Sequence, residues 1–269
     1  MAEAYDRERP SYPDELIDAA CSIAALGAGS RVLEVGCGTG KLTEALVGRG
    51  LVVDAVDPGA NMIAFALRRV GDAGTVEFHL GRFEELPLPE QAFDAVFSAA
   101  AFHWIDPEVG WAKAARCLRP GGTLALIMHL GYREERTEAD DEALHEVFKK
   151  YWLDPGGWSL RDLPAVHAGV EERRENVSAV WTWLGIHDLF NAGAASLFDD
   201  VQLTTQPLTR EQTAERLWAL FETTSLFQRL DQSSREALEA EVCAFFEQRG
   251  GTIQTSELAI LVTARRSDA

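Results

Sequence analysis

Short apolar runs alternate with helical patterns between residues 31 and 128, and this alternation limits the fold more than any other feature. The runs are VLEV (32–35), LVVDAV (51–56), TVEFHL (75–80), FDAVFS (93–98) and TLALIM (123–128). Helical patterns lie between most of them, at 39–49, at 61–70 and from Asp106-Pro107 to LRPGG. Such alternation predicts an α/β fold with a parallel sheet and helices on both faces. The runs lack a polar alternation, which is typical of strands buried on both sides.

The flanking segments predict further elements around this core. Helical patterns occupy 14–26 and 138–152, and strand patterns occupy 196–205 and 257–263. Two capping boxes, Thr209-x-x-Gln212 and Ser233-x-x-Glu236, predict the starts of two late helices. We therefore expect one domain over 1–269, with an N-terminal arm and helix at 1–30, a ligand-binding core at 31–128, a helical cap inserted at 130–195, and strands and helices at 196–264 that complete the sheet.

Charge and composition narrow the classes of partner. The chain has 269 residues and a net charge of −18, which disfavours binding to nucleic acid or to anionic lipid. The N-terminus MAEAYDRERP lacks the apolar segment of a secretory signal, and no run of 18 apolar residues predicts a membrane span. The sequence has no C-x-x-C pair, so it predicts neither a disulfide framework nor a metal site. We therefore expect a cytoplasmic protein with reduced, buried cysteines at 21, 37, 117 and 243.

A glycine-rich turn follows the first strand, in the stretch RVLEVGCGTGKLT at 31–43. Such a turn lets a backbone approach a ligand closely and directs the free N–H groups of the next helix toward it. A dinucleotide fingerprint needs glycine where Lys41 stands, and a phosphate loop needs serine or threonine where Leu42 stands. What remains is E-x-G-x-G-x-G from Glu34 to Gly40. A carboxylate at Glu34 would repel a pyrophosphate and suits a ligand that carries a cationic group.

The stretch VLEVGCGTG resembles the first motif of class I S-adenosylmethionine-dependent methyltransferases. Later motifs of that family are similar to VDAVDPGANMI (52–63), LGRFEELPLPEQAFDAVFSAAAFHWIDP (80–107) and CLRPGGTLALI (117–127). Together with YDRERPSYPDELI near the N-terminus, HWIDP suggests the small-molecule type 11 branch, which includes trans-aconitate methyltransferase-like members. The resemblance implies a Rossmann-like, seven-stranded, mostly parallel sheet whose last strand is antiparallel. It also implies that the cofactor is S-adenosyl-L-methionine and the product S-adenosyl-L-homocysteine, with SN2 transfer of the methyl group to a small molecule. Oxygen is the expected acceptor atom, with nitrogen or carbon as alternatives.

The same resemblance assigns cofactor-binding residues. Asp57 ends the second strand and would accept the ribose hydroxyls, while Glu34 would lie near the methionine amino group. Where the family often has Gly-Asp-Ala, this chain has Gly81-Arg82-Phe83, so the partner of the adenine amino group is either Glu84 or the backbone near Phe83. The remaining cofactor residues implied by the resemblance are Gly36, Cys37, Gly38, Gly40, Met62, Arg82, Ser98 and Ala99.

Acceptor-side residues are implied beyond the fourth strand and in the arm. His103 and Trp104 follow that strand, and His103 either deprotonates an acceptor hydroxyl or has a structural role. Tyr12, with Tyr5 and Arg9, forms either a flap or a solvated arm. Aromatic side chains in the cap form either a plain core or the walls of an acceptor pocket: Trp152, Trp158, Trp181 and Trp183.

One alternative function is compatible with the same motifs. A protein of this fold could bind S-adenosylmethionine without transferring its methyl group, or could use it for another chemistry, because binding motifs report binding alone. Release of S-adenosylhomocysteine separates the two readings, since that product forms only when the methyl group leaves.

Overall fold

The structure is a computed structural model that describes residues 6–7, 11–151, 160–185, 190–222, 227 and 230–267. Its strands are β1 (Arg31–Val35), β2 (Val52–Asp57), β3 (Val76–Leu80), β4 (Phe93–Ala99), β5 (Leu118–Gly131), β6 (Phe198–Thr213) and β7 (Thr252–Arg266). Its helices are α1 (Asp14–Ile23), α2 (Lys41–Gly48), α3 (Ala60–Val70), α4 (Pro107–Cys117), α5 (Glu138–Lys149), α6 (Leu163–Glu171), α7 (Val177–Trp183), α8 (Ala194–Leu197), α9 (Ala214–Glu222) and α10 (Gln232–Glu247). A 3₁₀ turn covers Phe102–Trp104.

The seven strands form one sheet in the order β3-β2-β1-β4-β5-β7-β6. Strands β1 to β5 pair in parallel wherever they are neighbours in this order. Their carboxyl ends therefore share one edge of the sheet, which is where open α/β sheets bind ligands. The expected fold class, a mostly parallel Rossmann-like sheet with helices, is confirmed.

Two compact units divide the chain. The first contains 11–129, 164–206 and 259–269, and the second contains 1–10, 130–163 and 207–258. In the first unit, β1, β2 and β4 are almost entirely buried, as their apolar runs predicted. In the second unit, α5, α9, α10 and the start of β7 share an apolar core: Leu144, Phe148, Phe221, Leu238, Val242, Phe245, Phe246 and Ile253.

Helix starts were predicted well in one place and wrongly in two. Asp106 caps α4, and its carboxylate accepts from the backbone N–H of Glu108 at 3.0 Å, as the Asp-Pro pair predicted. The capping box at Thr209 and Gln212 is wrong, because both residues lie in β6 and α9 begins only at Ala214. The box at Ser233 is also wrong, because Asp231 caps α10 two residues earlier and accepts from Ser234 N–H at 2.8 Å.

The four cysteines are free, as expected, but not all are buried. Cys37 and Cys117 are buried, Cys21 is half-buried and Cys243 is exposed on α10, which corrects the prediction for Cys243. Among the helices of the described residues, none combines the length and the hydropathy that crossing a membrane requires.

Candidate functional site

The glycine-rich turn connects β1 to α2 at the carboxyl edge of the sheet. The backbone N–H groups of Gly36 and Cys37 donate to Val56 O at 2.8 and 3.0 Å, which fixes the turn against the end of β2. The backbone N–H of Gly40 donates to Cys37 O at 2.9 Å and closes the loop before α2 begins. Burial raises the pKa of the Cys37 thiol well above its usual value, so this cysteine stays neutral and packs as a small apolar group.

Two glycines of the turn have different reasons to be glycine. Gly36 has a φ of +76°, and a Cβ there would lie 2.2 Å from Cβ of Ala101 in the loop after β4. Gly38 has a φ of +55°, but a Cβ there would meet no atom within 4 Å among the described residues. Gly36 therefore serves close packing. Gly38 leaves one side of the backbone open, which is where a ligand can approach.

Asp57 joins this turn to the loop after β2. Its Oδ2 accepts from the backbone N–H of Gly38 at 2.9 Å, and its Oδ1 accepts from the backbone N–H of Gly59 at 2.7 Å. Each carboxylate oxygen has a second lone pair, so both can still accept from a pair of hydroxyl groups. The side chain of Met62, at the start of α3, lies beside this carboxylate: a Cβ on Gly59 would be 3.0 Å from Asp57 Oδ1 and 3.1 Å from Met62 Cγ.

A second acidic residue on β2 shows what a structural carboxylate looks like in this protein. Asp54 accepts from Arg31 Nε and Nη2 at 3.0 and 3.1 Å, and it lies 3.1 Å from His79 Nε2. Side chains of β1 and β3 therefore engage both of its oxygens. Asp57 is bonded only by backbone amides among the described residues, and this distinguishes it from Asp54.

Glu34, at the end of β1, is only 1% exposed. Its Oε2 accepts from the hydroxyl of Thr43 at 2.6 Å. The pKa of Glu34 is raised to about 8. Burial is the main cause, the hydrogen bond from Thr43 opposes the rise, and the negative charge of Asp57 adds to it. The interior around Glu34 therefore favours its neutral form.

The loop after β3 lies next to Asp57, because the backbone N–H of Gly81 donates to Asp57 O at 3.1 Å. The ring of Phe83 is 1% exposed, with Lys113 Nζ 5.3 Å from its centroid, so its side chain belongs to the core. The carboxylate of Glu84 accepts from Asp106 N–H and from Arg82 Nη2, both at 3.2 Å. Both contacts are made by Oε1, so they orient the Glu84 side chain toward Arg82 and Asp106 and leave Oε2 and the backbone of the loop as the two candidate partners.

The pKa of Glu84 reflects this structural role. Burial of the carboxyl group raises the pKa, but hydrogen bonds from the backbone of Glu84 and Asp106 and from Arg82 lower it below its usual value overall. Lys113 holds the same loop from α4, since its Nζ donates to the backbone oxygens of Glu84 and Leu86 at 3.1 and 2.5 Å.

The exit of β4 packs directly on the glycine turn. The hydroxyl of Ser98 donates to Val35 O at 2.8 Å and the residue is fully buried, so its side chain has a structural role. Ala99 is half-buried, and Ala100 adopts a φ of +50°, which is strained for a residue with a side chain. The 3₁₀ turn with His103 and Trp104 follows. The two rings are 5.1 Å apart, and Trp104 is 66% exposed, an unusual exposure for so large an apolar group.

Tyr12 stacks on a histidine that sequence reasoning missed. Its ring lies 5.6 Å from the ring of His129 with an interplanar angle of 3°. His129 follows the buried part of β5 at the same edge of the sheet, two residues beyond the pairing of Ala99 with Ile127. Its place just past the fifth apolar run was a usable signal, because parallel strands present ligand-facing groups at their carboxyl ends.

The remaining aromatic predictions divide between the core and the undescribed parts of the chain. Trp181 is fully buried in α7, and Trp183 packs on Gly169 with the guanidinium of Arg173 5.1 Å from its ring. Both positions favour the plain-core reading. Tyr5, Arg9, Trp152 and Trp158 lie outside the described residues.

Comparisons with known proteins agree with this geometry. A methyltransferase-domain family model matches residues 33–126. An uncharacterized methyltransferase of Geobacillus kaustophilus is 32% identical over 155 residues, which cover 54% of this chain and 70% of that protein. The chain belongs to this methyltransferase-domain family. An uncharacterized methyltransferase of Mycobacterium tuberculosis is 48% identical over 133 residues, 49% of this chain. That match spans 51% of the mycobacterial protein, so the chain aligns with only about half of its length.

Solved structures show the same fold for the methyltransferase domain. A protein from Anaeromyxobacter dehalogenans assigned as a type II methyltransferase superposes with a TM-score of 0.58 at 21% identity, covering 96% of this chain and 97% of that one. The [4+2]-cyclase SpnF superposes with a TM-score of 0.50 at 17% identity, covering 97% of this chain and 84% of that one. The fold is therefore shared by proteins that carry out different reactions.

Proposed function

We propose that the protein transfers the methyl group of S-adenosylmethionine to an oxygen atom of a small molecule by in-line displacement. The observation that carries the proposal is the bridge from Asp57 to the backbone of Gly38, at the carboxyl edge of the sheet. It places a carboxylate with spare acceptor capacity beside an open stretch of glycine backbone. The family that the chain belongs to supports the same conclusion.

The residues present fit this cofactor. Asp57 would accept from the two ribose hydroxyls, and Glu34 would face the ammonium group of the methionine portion. Met62 would pack on the adenine ring, because a thioether makes favourable contacts with aromatic groups. The adenine amino group would bond to the backbone near Phe83 or to Oε2 of Glu84, whose Oε1 accepts from Arg82 and Asp106.

A sulfonium-bound methyl group is strongly activated, so the protein mainly needs to align the acceptor and exclude water. Trp104 and the stacked pair of Tyr12 and His129 would contribute apolar and aromatic surface for this purpose. His103 would take the proton of an acceptor hydroxyl, while a carboxylate acceptor would need no base. These assignments, and the placement in the small-molecule type 11 branch with trans-aconitate methyltransferase-like members, are part of the proposal.

Two sequence features support a small-molecule acceptor and a cytoplasmic site of action. The net charge of −18 opposes a nucleic-acid acceptor. The four free cysteines are typical of a reducing compartment.

Calorimetric titration with S-adenosylmethionine and S-adenosylhomocysteine tests the cofactor. We expect micromolar binding that Asp57→Asn weakens by about tenfold or more, since a hydrogen bond to a charged group contributes roughly 1.5–3 kcal/mol. Asp54→Asn is the matched control. It changes the same residue type on the same strand, and it should lower stability with little effect on the affinity of the folded protein. The proposal fails if neither ligand binds to the wild type.

A second candidate function is binding of S-adenosylmethionine without methyl transfer, or with another chemistry. The superposition with a [4+2]-cyclase supports keeping it, because this fold is compatible with a reaction other than methylation. Incubation with small hydrophobic acids and phenols distinguishes the two. Formation of S-adenosylhomocysteine that depends on the acceptor supports methyl transfer, and tight binding without that product across the panel favours the second candidate.

A further inference from the structure

The hydrogen bond between Glu34 and Thr43 links the end of β1 to the first turn of α2. Thr43 is fully buried, and its hydroxyl lies 2.6 Å from Glu34 Oε2. This bond engages Oε2, so Oε1 is the carboxyl oxygen that it leaves for another donor. A donor that reaches Oε1 would stabilise the carboxyl group, because buried polar groups are normally hydrogen-bonded.

The surroundings of Glu34 do not favour its charge. On β2, Asp57 is negative, and in the glycine turn the thiol of Cys37 is neutral and buried. On β4, the residue paired with Glu34 is Phe97, which has no charge. Among the described groups that affect the pKa of Glu34, the hydroxyl of Thr43 is the one that lowers it.

We propose that Thr43 is a positioning residue for cofactor binding: its hydroxyl holds Glu34 in place, and Glu34 releases a proton when the ammonium group of the cofactor arrives. This inference rests on the proposed function. The O–H bond at Oε1 breaks, the proton passes to water, and Oε1 then accepts a hydrogen bond from the ammonium group. Thr43 remains bonded to Oε2 throughout and stabilises the carboxylate that forms.

The test counts protons released on binding of S-adenosylhomocysteine, which carries the same ammonium group and cannot react further. Calorimetry at pH 6.5 and pH 8.5, in buffers with different ionisation enthalpies, gives this count for the full chain. The variants are Thr43→Val, which is nearly isosteric but lacks the hydroxyl, Thr43→Ser, which keeps it, and Glu34→Gln. The count for Glu34→Gln belongs to the ligand alone and is subtracted from the others.

For the wild type we expect about one proton from Glu34 at pH 6.5 and about a quarter of a proton at pH 8.5, given a pKa of about 8. In Thr43→Val the count at pH 8.5 should rise above that of the wild type, and the affinity should fall by about tenfold or more. Thr43→Ser should resemble the wild type in both respects. A purely structural role would lower the melting temperature of Thr43→Val without changing the proton count.

The other possible outcomes also support or overturn the inference. If the wild type binds and releases no more protons than Glu34→Gln, or if Thr43→Val keeps the wild-type count, this inference is overturned and the proposed function stands. If the wild type does not bind, both are overturned. If Glu34→Gln binds too weakly for calorimetry, NMR titration of the Glu34 carboxyl carbon without ligand decides. A higher pKa in Thr43→Val than in the wild type supports the inference, and equal values overturn it.

Discussion

Replacing Glu34 with glutamine should stabilise the ligand-free protein at alkaline pH. The pKa of Glu34 rises from an ordinary 4.5 to about 8, mainly because the group is buried. The folded state therefore binds the proton more tightly than the unfolded state, and stability is lost as the pH rises from about 4.5 to 8. Each pKa unit corresponds to about 1.4 kcal/mol, so the ionised carboxylate costs the folded state up to about 5 kcal/mol above pH 8.

Glu34→Gln removes this cost but leaves amide N–H groups to be satisfied, so we expect a net gain of about 2–4 kcal/mol at pH 9. Below pH 4.5 both proteins carry a neutral side chain, and the difference should be small or reversed. Urea unfolding at pH 4.5, 7 and 9 measures the free energy of unfolding of both proteins. The matched control is Glu85→Gln, whose carboxyl group is 74% exposed and should change stability little at any pH. If the difference in stability between Glu34→Gln and the wild type does not grow with pH, the ionised carboxylate does not destabilise the folded state, and the reasoning is wrong.

Three further predictions concern packing and positioning. Gly36→Ala should lower the free energy of unfolding by more than about 3 kcal/mol, because its Cβ would collide with Ala101, whereas Gly38→Ala should cost only about 1–2 kcal/mol because of its positive φ. Thermal unfolding compares the two variants, and equal losses of stability would contradict the packing argument. Lys113→Met should cost about 2–3 kcal/mol, because it leaves the backbone oxygens of Glu84 and Leu86 without their donor, and Lys113→Arg should recover part of that loss in the same urea assay. Tyr12→Leu should lower kcat/KM with a methyl acceptor more than Tyr12→Phe, because only phenylalanine keeps the ring stacked on His129; equal losses would assign the role to the hydroxyl group instead.

Much of the sheet could be predicted because its signals are local. An apolar run that is buried on both faces looks the same in sequence as in structure, and the five runs between 31 and 128 all became strands. The helix starts at Thr209 and Ser233 were wrong because the signals there compete. Pairing in the sheet extends β6 to Thr213, whose hydroxyl then accepts from Arg216 N–H, and Asp231 is an equally good cap just before Ser233. Local patterns cannot rank such alternatives, since tertiary contacts decide between them.

The site was predictable to a similar degree. Glycine spacing and the acid that ends the second strand predict the turn and the position of Asp57, because both signals are local in the sequence. The burial of Phe83 and the stacking of Tyr12 on His129 depend on which segments meet in space. The sequence alone also does not distinguish the two acidic residues on β2. Only their partners distinguish Asp54, held by arginine and histidine side chains, from Asp57, held by backbone amides.

Glu34 and Asp57 lie at the ends of neighbouring strands, and their surroundings suit different parts of the proposed cofactor. Asp57 receives two backbone N–H bonds and keeps lone pairs for hydroxyl groups, whereas Glu34 receives one hydroxyl and is buried. The charge of Asp57 also raises the pKa of Glu34, so the two groups are coupled. Removing that charge with Asp57→Asn would therefore make Glu34 easier to ionise while removing an acceptor for the ribose. The loss of affinity in Asp57→Asn would then underestimate the contribution of the ribose contact. The number of protons released on binding should fall in the same variant, and this number separates the effect on Glu34 from the loss of the ribose contact.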